Sequence, residues 1–399
     1  MTDTVFILGA GFSYDAGIPL LSGFVDKMWE LAIRGKNGDQ PLSAADIDVF
    51  QEAMKIRKEL DGYHGRANFE DRNIEDLLSI LTFKILGSRS RKNDQLSRIS
   101  SAIARTIELT CQIQHPGTNA KAIRFPNGSG SDIYRKFWEH IFTSIKAEKK
   151  PPSIISFNYD LVLERSLHQV LIGTTYEKIS NRLPMSNLCL NYSFNSVPLI
   201  NYEINYENFR IEGKDIAGTN IKPTAINKDL STIEIDLLKL HGSLNFPKEK
   251  ITDPVNFAYG ITTPLSSPII LPPVFNKMTS SASTKSMWQA AMKKLGSAKN
   301  IIIIGYSLPK TDIYMQYFLK AALGPNKNLN KVFIFDPVLF QENKASDEMM
   351  DRYKSCFSET FIKRIVFQPN GSNVYKTHQL GTTRHFVELL ENNKGGLLF

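Results

Sequence analysis

Cysteine is scarce: the 399-residue chain has only Cys111, Cys189 and Cys356, far apart and with no CxxC pair. That spacing excludes a zinc ribbon and offers no disulfide framework. Long apolar runs are missing too. No stretch approaches the roughly eighteen uninterrupted apolar residues of a membrane span. The first apolar run, Val5-Phe6-Ile7-Leu8, stops at a glycine turn instead of extending into a signal peptide. Internal repeats and low-complexity tracts are also absent. These absences set the expectation of a cytoplasmic globular chain.

What is present is ordinary in bulk. Hydrophobic residues make up 42% and charged residues 22%, a globular mixture, and a chain of this length can bury a large core without structural metal. The net charge is +8. A basic balance attracts polyanions, a dinucleotide or nucleic acid among them. The basic residues are dispersed, however, and the tightest cluster (Lys146, Lys149, Lys150) has Glu148 inside it. Solubility therefore explains the charge better than direct nucleic-acid binding.

Periodicity predicts short buried strands at Thr4–Leu8, Ser153–Phe157, Ile233–Leu240, Asn300–Gly305 and Lys331–Phe335. Helices are expected from near Ser13 and over Ala44–Leu60, Leu96–Ile113, Ile133–Ile145, Leu161–Leu171, Met287–Leu295, Ile313–Ala322 and His385–Leu390. Apolar residues at Ile74, Leu77, Leu78 and Leu81 also recur with helical spacing. Continuous β-branched runs alternating with helices indicate an α/β fold, a Rossmann-like parallel sheet with helices on both faces. Residues 40–150 read as a large helical insertion into a single domain spanning 1–399. Residues 175–232, rich in Asn, Tyr and Ser, read as an irregular, partly β insertion.

The first candidate for chemistry follows the first strand directly: Gly9-Ala10-Gly11-Phe12-Ser13-Tyr14-Asp15-Ala16-Gly17-Ile18-Pro19. Closely spaced glycines let backbone approach a phosphate, and a following helix offers its free N–H groups to the anion. The spacing departs from GxGxxG because the third glycine falls at Gly17. By itself such a turn is more often structural.

Three further segments keep it company: Ser156-Phe157-Asn158-Tyr159-Asp160, Leu240-His241-Gly242-Ser243 and Gly305-Tyr306-Ser307-Leu308. Taken in order, the four resemble the opening Gly-Ala-Gly-x-Ser motif, the Thr-Gln-Asn-Ile-Asp segment, the His-Gly motif and the Gly-Thr-Ser-Leu motif of the sirtuin family. The resemblance covers the α/β core but neither insertion. It implies NAD+ as substrate, with Asn158 orienting the ribose and the attacking water and His241 as general base, a role that suits an imidazole. Asp160 would hydrogen-bond the nicotinamide carboxamide. Gly9, Ala10, Gly11, Ser13, Asp15 and Pro19, with Gly305 and Ser307, would hold the pyrophosphate and adenosine side. Asp336 would bind the adenosine ribose, and Asp312 would support that pocket.

Each reading has a structural rival. Asn158 and Asp336 are also turn residues. Asp160 and Asp312 each stand where a helix cap is needed, and for Asp312 the cap is the stronger reading. Asn73, Glu75 and Asp76 form a polar cluster at a helix start that could reach the site, but a solvated face is the stronger reading.

Departures from the family narrow the reaction. Sirtuin deacylases carry paired cysteines for a structural zinc, and this chain has none to offer. Leu20-Leu21-Ser22 replaces their Asp-Phe-Arg continuation. Water is therefore the expected acceptor, as in the sirtuin-like (Sir-two-type) NAD+ hydrolases of bacterial antiphage defence, with no metal required. That resemblance also implies a homo-oligomer and a partner such as a HerA-type ATPase or an Argonaute-like protein, and restraint of activity by oligomerisation or by an insertion covering the site. The alternatives are a deacylase without zinc and a non-catalytic NAD or ADP-ribose sensor. The presence of both Asn158 and His241 counts against a pure sensor.

Overall fold

Short apolar runs become the middle of one sheet. The computed structural model describes residues 3–61, 73–86, 94–113, 131–148, 150–172, 187–198, 202–211, 214–223, 232–247, 268–271, 282–310, 312–367 and 380–392. The chain opens with β1 (Thr4–Leu8) and a 3-10 turn at Ala10–Ala16, then α1 (Leu21–Arg34) and the two-residue strands β2 (Lys36–Asn37) and β3 (Gln40–Pro41). Four helices follow: α2 (Ala44–Asp61), α3 (Ile74–Leu86), α4 (Asp94–Thr110) and α5 (Ser131–Glu148). Next come β4 (Ser153–Ser156), α6 (Val162–Ile172), β5 (Asn187–Asn191) and β6 (Ser196–Pro198). The strands β7 (Tyr202–Ile211) and β8 (Lys214–Pro223) pair with each other, and β9 (Thr232–Lys239), β10 (Gly242–Pro247) and β11 (Pro268–Ile270) follow. The last part holds α7 (Ala282–Ser297), β12 (Asn300–Ile304), α8 (Ile313–Leu323), β13 (Lys331–Phe335), α9 (Lys344–Lys354), α10 (Glu359–Ile362), β14 (Ile365–Val366) and α11 (Thr383–Asn392).

The eight-stranded sheet has the order β14-β13-β12-β1-β4-β9-β5-β6. Every neighbouring pair from β14 to β5 is parallel, and only β6, at the edge, runs antiparallel. All five residues of β1 are buried, whichever face they point to, so the sheet is covered on both sides, as expected of a parallel α/β fold. On one face the Phe6 ring meets Phe137 of α5 at 5.6 Å and Phe386 of α11 at 5.9 Å, both edge-on. Among the described residues no helix is long and apolar enough to cross a membrane.

Strand β1 sits at the switch point of the topology. From it the chain moves to β4 on one side, fills out that side, and later returns as β12 on the other. Crevices at such points, beyond the carboxyl ends of the strands, are where open α/β sheets bind ligands.

Three expectations change. The helix expected from near Ser13 is instead the 3-10 turn, closed by Gly17 in the left-handed region (φ 87°), and α-helix begins only at Leu21. Gly17 is needed because a Cβ there would lie 2.7 Å from the Thr110 carbonyl at the end of α4. Second, Asn187–Asn191, inside the stretch read as an insertion, pairs with β9 and belongs to the central sheet. The parts of that stretch at 175–186, 199–201, 212–213 and 224–231 lie outside the described residues. Third, α9 was not expected. Its sequence is mostly charged, and Asn343 starts it by accepting the Ser346 N–H at 3.1 Å.

Candidate functional site

The register of the sheet aligns four motifs. Leu8 pairs with Ile304 and with Ser156, Ser156 with Lys239, and Ile304 with Phe335. The row continues one residue further: Gly9 N–H donates to Ile304 O, Phe157 N–H to Leu8 O, Leu240 N–H to Ser156 O and Gly305 N–H to Phe335 O. Residues following these strands therefore emerge along a single edge. They line one cleft that opens to solvent.

Ala10, Pro19, Asn158, Asp160, His241, Gly305, Ser307 and Asp312 all line this cleft. Gly9, Gly11 and Ser13 are not lining residues, and Gly9 and Ser13 are joined to the lining through Asn158. Asp15 and Asp336 are not among the lining residues. Asp15 is half-buried with Arg384 near it, and burial pushes its carboxyl up. Asp336 lies at the end of β13, as expected, but its carboxylate turns to Val338 N–H at 3.0 Å, and burial pushes it up as well. It makes the turn that was its rival reading.

The glycines prove to be packing residues. A Cβ on Gly9 would fall 2.5 Å from Gly305 O, one on Gly11 2.7 Å from Gly305 Cα, and one on Gly305 2.3 Å from Phe12 N. Gly305 also holds a φ of 62°, where a side chain is strained. The loops after β1 and β12 therefore touch backbone to backbone. Gly11 N–H donates across the contact to Gly305 O, and Phe12 N–H closes the β1 loop on Gly9 O. The Phe12 carbonyl is held by Tyr134 Oη at 2.7 Å and by Thr383 Oγ1 at 3.1 Å.

Asn158 is fixed by this arrangement. Its Nδ2 donates to Gly9 O at 2.8 Å and to Ser13 Oγ at 3.0 Å. A carbonyl can only accept, so it dictates which way the amide points, and Oδ1 is left for the cleft. Ser13 thus reaches the site through Asn158.

His241 is held between the sheet and a small antiparallel ladder. Its carbonyl accepts Leu271 N–H at 2.8 Å, and Gly242 turns the chain at φ 92°, where a Cβ would meet Ile269 O at 2.2 Å. The ring stands 4.9 Å from that of Phe157, which stacks on Tyr306 at 4.5 Å. Its Nε2 lies 4.0 Å from Asp312 Oδ2. Asp312 is indeed the cap of α8, accepting Met315 N–H, and Oδ2 also accepts the Tyr306 hydroxyl at 2.9 Å. It fills both the capping role and a place in the site. Asp160 does likewise: Oδ1 accepts Val162 N–H at 3.0 Å at the start of α6 while the residue lines the cleft.

Beneath Asp160 lies an ion pair absent from the sequence reading. Lys239, the last residue of β9, donates from Nζ to Glu164 Oε1 at 2.9 Å and to the Asp160 carbonyl. Both side chains are buried. Burial pushes the Glu164 carboxyl up, opposed by the Lys239 ammonium.

The opposite wall comes from the helical block: Ile74, Glu75 and Leu78 of α3, Ile103 and Ile107 of α4, and Leu21 and Phe24 of α1. Glu75, expected on a solvated face, is thus part of the cleft. Tyr159 and Tyr306 were also missed as lining residues. Burial pushes both phenols well above the usual tyrosine range, and the Glu75 and Asp312 charges add to that. The only early signal for these two was their place inside the motifs. Among the described residues no group of three or more His, Cys, Asp and Glu is arranged to hold a metal ion.

A scan against protein-family models finds no match, and a search of curated proteins finds none either.

Proposed function

We propose that this protein binds NAD+ in the cleft and hydrolyses it to nicotinamide and ADP-ribose. The observation that carries the reading is that Asn158 and His241, 83 positions apart in the chain, line one cleft at the topological switch point, beside the glycine loop that follows β1. In the reaction the bond between ribose C1′ and the pyridinium nitrogen breaks. Its electron pair neutralises the ring, so the leaving group needs no proton. Water adds to C1′ and loses its proton to His241. Asp312, 4.0 Å from Nε2, stabilises the imidazolium that results. Asn158 Oδ1 accepts from a ribose hydroxyl or from the attacking water.

The four ordered motifs support the same reading, and through them the proposal extends to an NAD+-depleting effector of bacterial antiphage defence. Chromatography of NAD+ incubations tests it. Nicotinamide and ADP-ribose should form in equal amounts, and His241→Ala or Asn158→Ala should lower turnover by about 10²–10⁴-fold while the fold is retained. Turnover that survives in both variants would remove these residues from the chemistry.

A further inference from the structure

Helices α1 and α2 pack side by side, and both pack on α4. Between them they leave a groove open to solvent. Its α1 side presents Trp29, Ala32 and Ile33, spaced i, i+3 and i+4. Its α2 side presents Gln51, Met54, Lys55 and Lys58, spaced i, i+3, i+4 and i+7. Each helix therefore turns one continuous stripe to the groove, and two such stripes are the seat of a third helix. Ile33, at 68% exposure, is the most exposed large hydrophobic side chain among the described residues.

The rim of the groove is basic. Lys58 Nζ stands 5.8 Å from the Trp29 ring centroid, and the Arg57 guanidinium lies at the same distance. Contacts of this kind hold a charge in place beside an apolar floor. Among the described residues no carboxylate pairs with Lys58. The nearby glutamates are engaged: Glu52 by Lys55 at 2.5 Å and by Arg98, Glu30 by Lys27 at 3.0 Å and Arg34 at 2.9 Å, and Glu59 by Gln95 Nε2 at 2.7 Å. The exposed Asp26 and Asp48 stand one turn before Trp29 and Gln51, outside the lining. An apolar floor edged by fixed cations complements an apolar stripe flanked by carboxylates. A bilayer or a nucleic acid presents unbroken negative charge, which would meet Asp26 and Asp48 as well. A helix can place its carboxylates singly.

We propose that this groove docks an acidic amphipathic helix of a partner protein, its apolar stripe on Trp29, Ala32, Ile33 and Met54 and its carboxylates beside Lys58. The groove shares no lining residue with the cleft, so the inference stands apart from the NAD+ reading.

Tryptophan fluorescence of the full chain provides the test, because Trp138 and Trp288 are buried whereas Trp29 is partly exposed. The probe is a synthetic peptide of about five helical turns, free of tryptophan and tyrosine. It carries leucine at i, i+3, i+4 and i+7 and glutamate on either side. The control peptide has lysine in place of every glutamate. The acidic peptide should shift the Trp29 emission to the blue and bind about tenfold more tightly than the control. Lys58→Glu and Ile33→Ser should each weaken it by about fivefold or more. Both side chains are exposed, so circular dichroism should show the fold retained. Lys320→Glu reverses a charge over a different ring, that of Tyr317, and should leave binding unchanged. Failure of the acidic peptide to bind, or equal binding of the two peptides, overturns the proposal. Equal losses in Lys58→Glu and Lys320→Glu would mean that net charge alone attracts the peptide, and would overturn the assignment to the groove. A stronger response of Trp29 to phosphatidylserine vesicles or to an oligonucleotide would give the groove to a membrane or a nucleic acid instead, and would overturn the helix as its occupant.

Discussion

Along the sheet edge the chain touches itself so closely that Gly9, Gly11 and Gly305 have no room for a methyl group, whereas the helical wall facing it is built of side chains such as Ile74, Leu78, Ile103 and Ile107. The two walls of one cleft therefore tolerate change differently. Backbone-on-backbone contact has no rotamer with which to absorb an added atom. An apolar helix face can repack around a lost methyl group. The sheet edge carries Asn158 and His241, to which the proposed reaction assigns its chemistry, and the helical wall supplies shape and the Glu75 side chain.

The contrast can be broken most directly under the sheet edge. Lys239→Met leaves Glu164 buried without its ammonium partner and removes a donor from the Asp160 carbonyl. Loss of one member of a buried pair costs about 3–5 kcal/mol, so chemical denaturation should show a large fall in midpoint. A variant as stable as the wild type would mean that the pair does not support the site. Gly305→Ala should follow. Its positive φ and the 2.3 Å approach to Phe12 N predict a loss of about 2–4 kcal/mol, with the β1 loop and Asn158 displaced. Unchanged stability and turnover there would refute the tight-contact account.

The helical wall should give the smallest effect. Ile107→Val, at a buried position lining the cleft, should cost about 0.5–1.5 kcal/mol. Kinetically it should raise KM for NAD+ modestly and leave kcat nearly unchanged. A kcat loss comparable to that of His241→Ala would show that the helical wall takes part in the chemistry, and the comparison would fail.

Much of this was legible beforehand where the signal is local. Asn300–Ile304 is a run of four isoleucines after one asparagine, and only a strand buried on both faces uses such a run well. Asp312 and Asp160 were readable as caps because capping needs only a side chain and the next turn. The glycines were readable as a tight approach, but what they approach was not. A phosphate and the backbone of Gly305 place the same demand on residues 9 and 11. Glu75 was misjudged because a helix start rich in Asn and acid looks solvated until the packing of α3 against α1 and α4 is known. The Lys239–Glu164 pair joins a strand end to a helix 75 positions away, and neither residue carries a local mark of its partner.

By itself the sequence determined the α/β class, the strands that form the sheet centre, and the four segments that could hold chemistry. Periodicity and turn chemistry act within a few residues and need no knowledge of the rest. The tertiary structure alone decided that Leu8, Ser156, Lys239 and Ile304 end in one row, which turns four separate segments into one site. It alone decided that Glu75 lines the cleft along that row and that Asp336 is not among the lining residues. Strand register and helix packing are set by long-range burial, and a helix face or a strand end is defined locally while its partner is chosen by the whole fold.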